Sequence, residues 1–149
     1  MSYPSEWNLR RAIAFCAALG VAVAAYIAIS EAGGNSPVCL AGGSGCQTVA
    51  DSSYSHVAGV NIAIFGVIGY LLLLASSFVA GDAARLGGFL VALAGFGYSI
   101  FLTYIEIFKI EAICQWCVGS AVLMTVLFGL NAIRLIGYGG TDGAVPDRA

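Results

Sequence analysis

Four long apolar runs, separated by polar segments, divide the sequence. They cover residues 9–29, 57–80, 86–108 and 113–136. Each is near or above the roughly 20 residues that a helix needs to cross a hydrocarbon core about 30 Å thick. A long connector at 30–56 follows the first run, and short connectors at 81–85 and 109–112 join the others. Because short connectors join antiparallel neighbours, the pattern predicts an all-α membrane protein with a four-helix transmembrane bundle within residues 1–138.

Composition supports the assignment to the membrane. Hydrophobic residues make up 60% of the 149 residues, charged residues only 9%, and the mean hydropathy is +0.92. A soluble domain of this size buries about 70% of the surface that its unfolded chain exposes, which is too little to hide so much apolar surface. The formal net charge is −2 and no Lys/Arg cluster is present. This excludes nucleic-acid binding, which requires a basic face.

The basic residues predict how the bundle is oriented. Five of the six fall on one side of it: Arg10, Arg11, Arg85, Arg134 and Arg148. Only Lys109 falls on the other side. Because positive residues near span ends are retained in the cytoplasm, we expect both termini in the cytoplasm and residues 30–56 as an external loop. The expected location of the protein is a cell inner (plasma) membrane. The Gly-rich tail at 139–149 is expected to be a disordered cytoplasmic segment. The first run exceeds the about 7–15 apolar residues of a secretory signal, so it is interpreted as a span.

The five cysteines carry the candidate chemistry. Cys16 lies inside the first run, where a thiol behaves as a small hydrophobe. Cys39 and Cys46 lie in the long connector, and Cys114 and Cys117 form a C-x-x-C motif at the beginning of the fourth run. A helix N-terminus favours the thiolate, and both pairs fall on the outer side, where disulfides persist. The sequence therefore indicates redox chemistry at the external face of the membrane.

The two cysteine pairs have three interpretations. One is a structural disulfide between Cys39 and Cys46. Another is a four-thiolate zinc site, but the C-x6-C spacing fits it poorly, and we expect no metal. The third is a dithiol relay, in which Cys39 lies on a Gly-rich, non-helical loop and meets a protein substrate. Cys46 then forms a transient bridge to Cys114, and Cys117 faces a lipid-soluble acceptor. A small four-span transporter is the main competing class, although its only candidate carboxylate, Glu106, lies near an interface rather than mid-span.

Polar residues around the cysteines have expected roles of their own. His56 is a candidate for proton transfer to the acceptor, beside the alternative of an ordinary interfacial imidazole. Glu106 and Lys109 are one helical turn apart and are expected to pair. Glu111, just before the motif, is expected to raise the pKa of the first thiol against the effect of the helix dipole. Trp116 is expected to anchor the helix at the membrane interface or to shield the motif from water.

Three strings, in this order and spacing, resemble the prokaryotic homologues of vitamin K epoxide reductase: CQTVADSSYS, GVNIAIFGVIGY and FLTYIEIFKIEAICQWCV. The resemblance covers roughly residues 39–118. It implies a membrane thiol oxidoreductase that takes electrons from a thioredoxin-like protein and reduces a quinone (ubiquinone, menaquinone or phylloquinone), driving disulfide formation outside the cytoplasm. Many bacterial relatives carry a fused thioredoxin-like domain, whereas this chain ends at Ala149. The expected partner is therefore a separate periplasmic or extracellular protein.

The resemblance also implies a role for particular residues. The two cysteine pairs become the quinone-side active site and the loop shuttle: Cys114 with Cys117, and Cys39 with Cys46. Ser52 corresponds to a serine near the active centre, with Ser53 as the fallback if the alignment slips by one residue. Asn61 corresponds to a quinone-contacting asparagine. With His56, these residues complete the predicted quinone site around Cys117.

Overall fold

A computed structural model of the chain describes residues 4–40 and 42–138. Five α-helices are present in this part: α1 (Glu6–Ala32), α2 (Gly45–Ala50), α3 (Ile62–Phe78), α4 (Asp82–Ile105) and α5 (Gln115–Tyr138). Two short strands, β1 (His56–Val57) and β2 (Val60–Asn61), pair as an antiparallel hairpin. A 3₁₀ turn (Ser53–Ser55) precedes β1, and a π-helical segment (Glu106–Ile110) extends α4. The tail predicted at 139–149 lies outside the described residues.

The four long helices form a closed ring. α1 packs against α3 and α5, and α4 packs against the same two helices. Tyr70 of α3 is fully buried between them, and a side chain at Gly20 of α1 would overlap its ring. The Tyr70 hydroxyl donates to the Ser120 carbonyl at 2.9 Å and so ties α3 to α5. Close approach at small residues is how helices associate in lipid, and the predicted helical membrane bundle is confirmed.

The second apolar run is not helical throughout. α1, α4 with its π-helical extension, and α5 are long and apolar enough to cross a membrane. α3 has 17 residues, which corresponds to about 25 Å. It begins at Ile62 rather than near residue 57 because Ala58 and Gly59 have positive φ (52° and 82°) and turn the hairpin. The Asn61 side chain then caps α3 by accepting a hydrogen bond from the Ala63 N–H at 2.7 Å.

Buried arginines close one end of the bundle. Arg134 of α5 is 0% exposed and donates to the carbonyls of Ser76 and Val79 at 3.0 and 2.9 Å. These carbonyls lie at the C-terminal end of α3, where they have no helical partner. Glu6 of α1 pairs with Arg134 at 3.4 Å and with Arg85 of α4 at 3.0 Å. Backbone groups that cannot reach water are therefore satisfied by the protein itself.

The ends of the described chain meet on this same side. The Tyr138 hydroxyl donates to the Pro4 carbonyl at 2.7 Å. Cys39, Cys46 and the C-x-x-C motif lie at the opposite end, beyond the last turn of α1 and before the first turn of α5. An arginine-rich end and a cysteine-rich end therefore face away from each other.

Candidate redox site

The long connector holds a disulfide. Cys39 and Cys46 are bonded, with their Cα atoms 5.9 Å apart, and the Cys46 N–H also donates to Cys39 Sγ at 3.3 Å. Because their sulfurs are bonded to each other, these residues are not free to serve as zinc ligands. The connector is not wholly non-helical as expected, since Cys46 lies on α2 and is only 2% exposed. Cys39, by contrast, lies before α2 and is half-buried.

The C-x-x-C motif lies where α5 begins. Cys114 directly precedes the helix, and its carbonyl accepts the Val118 N–H at 3.0 Å. Cys117 follows in the first turn, and both thiols are free. Cys114 is 3% exposed, so protein covers it on nearly all sides. The Cys117 thiol lies beside the Cys114 sulfur, which makes the two sulfurs a local dithiol.

The surroundings of the Cys114 thiol make it more acidic than an ordinary cysteine. The hydrogen bond from the Cys117 thiol lowers the pKa of Cys114 to about 7. The backbone N–H groups of Cys117 and Trp116 lower this pKa further. Burial and the negative charge of Glu106 raise it. The anion acting on Cys114 is therefore Glu106, in place of the Glu111 expected from the sequence. At neutral pH a large fraction of Cys114 is thiolate, the form that attacks disulfides.

Glu106 is a site residue that the sequence did not reveal. It begins the π-helical segment, is 5% exposed, and accepts the Cys114 N–H on Oε2 at 3.2 Å. Its carboxylate also lies beside the Cys117 thiol. The expected pairing with Lys109 is wrong, because Lys109 is exposed while Glu106 turns inward to the cysteines. The i, i+3 spacing would apply in an α-helix, but the chain is π-helical here.

Four contacts hold the disulfide loop against the C-x-x-C motif and the end of α1. Gly45, next to Cys46, lies so close to the Ile113 carbonyl that a Cβ at position 45 would overlap it. The Trp116 indole donates to the Val38 carbonyl at 2.8 Å, and the Tyr26 hydroxyl accepts the Val38 N–H at 3.2 Å. The rings of Tyr26 and Trp116 pack with centroids 5.0 Å apart. Trp116 thus fastens the loop beside the motif, a role that its position at a membrane interface did not predict.

Ser52 makes local contacts in the connector. Its hydroxyl donates to the Val49 carbonyl at 2.7 Å, and its own carbonyl accepts the Ser55 hydroxyl at 2.9 Å. Both bonds organise the turn that follows α2. Within residues 4–40 and 42–138, Ser52 makes no hydrogen bond to Cys114 or Cys117, and its role near the active centre stays a prediction.

His56 and Asn61 lie around a separate cavity of about 490 Å³. Glu31 and Asp51 also line it, whereas neither thiol of the C-x-x-C motif is among its described lining residues. The Asn61 amide donates to the Glu31 carboxylate, and the His56 ring is 2.8 Å from the Ser55 hydroxyl. The structure therefore groups these two predicted quinone contacts around a cavity that Asp51, at the end of α2, also lines.

The bundle, with a disulfide loop docked on a buried dithiol, defines a membrane protein built for thiol redox chemistry. The sequence model of the vitamin K epoxide reductase family matches residues 11–132. The chain therefore belongs to the vitamin K epoxide reductase family, as the sequence motifs predicted, and is a membrane redox enzyme. No curated protein matches the chain.

Proposed function

We propose that this protein is a membrane thiol oxidoreductase that takes electrons from a separate thioredoxin-like protein and passes them to a quinone. The output is disulfide formation outside the cytoplasm. The observation that carries this proposal is the docking of an oxidised pair, Cys39–Cys46, beside a reduced pair, Cys114 and Cys117. Two dithiols held against each other are what relay chemistry needs, whereas a stapling disulfide would not require the second pair.

Electrons enter at the loop. A thiolate of the reduced partner attacks Cys39 Sγ, and Cys46 leaves as a thiolate. The second thiol of the partner then attacks the mixed disulfide, so that the partner departs oxidised and Cys39 is freed. The half-buried position of Cys39 and the buried position of Cys46 support this order of attack.

Electrons then move from the loop to the helix. The Cys46 thiolate attacks Cys114 Sγ of an oxidised Cys114–Cys117 pair, and Cys117 leaves as a thiolate. Cys39 next attacks Cys46, which restores the loop disulfide and leaves the motif as a dithiol. Two electrons and the corresponding protons have then passed inward. The combination of loop disulfide and motif dithiol is the state expected after this transfer.

The residues at the motif fit a quinone as the final acceptor. A bound quinone supplies an acceptor for two electrons and two protons, and one dithiol releases two electrons. We propose Cys117 as the residue that delivers the electrons, with Asn61, Ser52 and His56 as further contacts to the head group. The Asn61 side chain already bonds to Glu31 and to the Ala63 N–H, so a head group would use the second N–H of its amide.

The proposed location is an inner (plasma) membrane with both termini cytoplasmic and the cysteines outside. The meeting of Pro4 and Tyr138 at one end of the bundle supports placing both termini on one side. The arginines at that end and the positive-inside tendency support the cytoplasm as that side.

A reconstitution assay tests the proposal. Purified protein is mixed with a reduced thioredoxin-like protein and a soluble quinone analogue, and loss of the quinone absorbance is followed. We expect turnover with the parent protein and none with Cys117→Ala. Cys16→Ala is the matched control, because Cys16 is a thiol in the apolar part of α1 and lies outside the relay; it should turn over normally. Extraction and identification of the lipid bound to the purified protein would distinguish ubiquinone, menaquinone and phylloquinone.

Trapping tests the electron path separately. In Cys46→Ala the Cys39 thiolate can attack the disulfide of an oxidised partner, and no Cys46 thiol is present to displace the bound partner, so a mixed disulfide between Cys39 and the partner should accumulate. Partner found on Cys117 would overturn the order of transfer. Undiminished quinone reduction by Cys117→Ala would overturn the site.

A further inference from the structure

Within the described part of the chain, Glu106 is a buried carboxylate without a cationic partner. It is 5% exposed where the π-helical segment follows α4, at the cysteine-rich end of the membrane bundle. The ion pairs found among residues 4–40 and 42–138 involve Glu6 and Asp82 with Arg85 and Arg134, all at the opposite end of the bundle. Burying an unpaired carboxylate is costly, and ionisable side chains inside membrane bundles generally mark functional sites. Packing alone does not account for this residue.

The local backbone fixes the Glu106 side chain at the dithiol. The π-helical segment begins at Glu106. Glu111 caps its other end and has a left-handed φ of 54°. The Ala112 N–H then bonds back to the Glu106 carbonyl at 3.2 Å, and the Cys114 N–H bonds to its carboxylate at 3.2 Å. These two bonds fold the connector over the carboxylate. π-helical segments are frequent at functional sites.

The Cys117 thiol has one proton and two acceptors beside it, the Cys114 sulfur and the Glu106 carboxylate. These are the ionisable groups next to Cys117 in the described part of the chain. α2 contributes Cys46, whose sulfur is already bonded to Cys39, and Lys109 and Glu111 on the connector are exposed. Cys114 cannot keep the proton when the motif is oxidised, because its sulfur becomes bonded to Cys117.

We propose that Glu106 is the catalytic base that accepts the Cys117 proton when the Cys114–Cys117 dithiol is oxidised. This inference rests on the proposed function. The reduced motif consists of the Cys114 thiolate and the Cys117 thiol. Oxidation forms the S–S bond, delivers two electrons to a quinone-class acceptor, and moves the Cys117 proton to the Glu106 carboxylate. Glu106 then passes that proton to the acceptor, whose second proton comes from the external aqueous phase.

The test measures proton transfer without an acceptor or a partner. In the full-length Cys114→Ala protein in detergent, Cys117 reacts with methyl methanethiosulfonate at a series of pH values around neutral, and mass spectrometry of its peptide gives the rate. With Glu106 as an internal base, the rate should change little with pH. When Glu106→Gln is added to the Cys114→Ala protein, hydroxide must take the Cys117 proton. The rate should then rise about tenfold per pH unit and be about 100-fold lower at pH 7 than in Cys114→Ala alone.

Two further variants control the experiment. Glu106→Asp keeps a carboxylate and should restore part of the flat profile. Glu111→Gln removes an exposed carboxylate from the same connector and should leave the profile unchanged. Glutamine retains an oxygen that can accept the Cys114 N–H, so Glu106→Gln keeps the structural contact.

The sign of the effect separates a base from a fixed charge. If Glu106 acted only as a negative charge, its removal would favour the Cys117 thiolate and speed the reaction, and this result would overturn the proposal. A tenfold rise per pH unit in the Cys114→Ala protein with Glu106 intact would also overturn it, without any need for the glutamine variant to fold. Because the assay contains no quinone, a failure of quinone reduction and a failure of this inference are distinguishable.

Discussion

Cys114 and Cys117 are three residues apart but have different chemical surroundings. Cys114 faces the N–H groups at the beginning of α5 and receives the Cys117 hydrogen bond, so its thiolate is stabilised. Cys117 has the Glu106 carboxylate beside it. This asymmetry supports a division of labour in which Cys114 exchanges disulfides with the loop and Cys117 faces the acceptor, as proposed above.

The lowered pKa of Cys114 predicts how its reactivity depends on pH. Below pH 7 the thiol is protonated and its alkylation slows about tenfold per unit; above pH 7 the thiolate dominates and the rate levels off. The midpoint should therefore lie near 7, where the pKa of Cys114 lies. N-ethylmaleimide labelling of the reduced protein, quantified for the Cys114 peptide, measures it.

The matched variants identify the cause. Cys117→Ala removes the donating thiol and should move the midpoint upward, toward the ordinary value of 9.0, whereas Cys16→Ala should leave it in place. A parent midpoint near 9 would contradict the hydrogen bond as the cause.

At the residue scale, the sequence could predict the cysteines but not their neighbours. The C-x-x-C spacing and the helix N-terminus together indicated an activated thiol, since both are local signals. Glu106 lies eight residues before Cys114, and their contact depends on a π-helical segment and a left-handed Glu111. Likewise, the Trp116–Val38 bond joins positions 78 residues apart. Such contacts have no periodicity from which they could be inferred.

At the scale of elements, the long helices were predictable and the short ones were not. Apolar runs located α1, α4 and α5 within a few residues, because each is long enough for hydropathy to identify it. α2 has six residues, too few for a period to emerge, and glycines surround it. It nevertheless buries Cys46 and presses Gly45 against the connector before α5. The loop is therefore partly ordered in the state that the structure represents.

Gly45→Ala should separate the loop from the motif. The added Cβ would overlap the Ile113 carbonyl, which is backbone and cannot rotate away, so α2 must move outward. Displacements of about 1 Å cost up to 100-fold in reactions that depend on alignment. We expect bridge formation between Cys46 and Cys114 to slow by about tenfold or more.

A double variant makes this bridge observable. With Cys39→Ala and Cys117→Ala, Cys46 is left with one partner in the motif, and mild oxidation followed by mass spectrometry of linked peptides gives the rate. Gly43→Ala is the matched control, because a Cβ there would meet its nearest atom at 4.0 Å. Equal rates in the two glycine variants would show that the close approach at Gly45 does not position the loop.

At the scale of the whole molecule, buried arginines hold the end of the bundle opposite the cysteines. Arg134→Gln should lower the free energy of unfolding by about 1–3 kcal/mol for each carbonyl of α3 that loses its charged donor, namely those of Ser76 and Val79. Unfolding of the purified protein by SDS, followed by tryptophan fluorescence, measures this change. Arg11→Gln removes an exposed cation and should have little effect; equal destabilisation by both would mean that net charge, not the buried bonds, is responsible.

The distribution of charge also predicts which end of the molecule faces the cytoplasm. Within residues 4–40 and 42–138, four of the five Lys and Arg residues belong to the end where Pro4 and Tyr138 meet, and retention of positive charge predicts that this end faces the cytoplasm. After mild reduction of intact cells, a membrane-impermeant maleimide should therefore label Cys39, which is half-buried in the external loop, and should not label Cys16 within α1. A cysteine introduced as Val79→Cys, at an exposed position between α3 and α4, should be labelled only after the membrane is permeabilised. Labelling of Val79→Cys in intact cells, with Cys39 protected, would invert the bundle. The loop disulfide would then face the reducing cytoplasm, where a relay that generates disulfides could not operate.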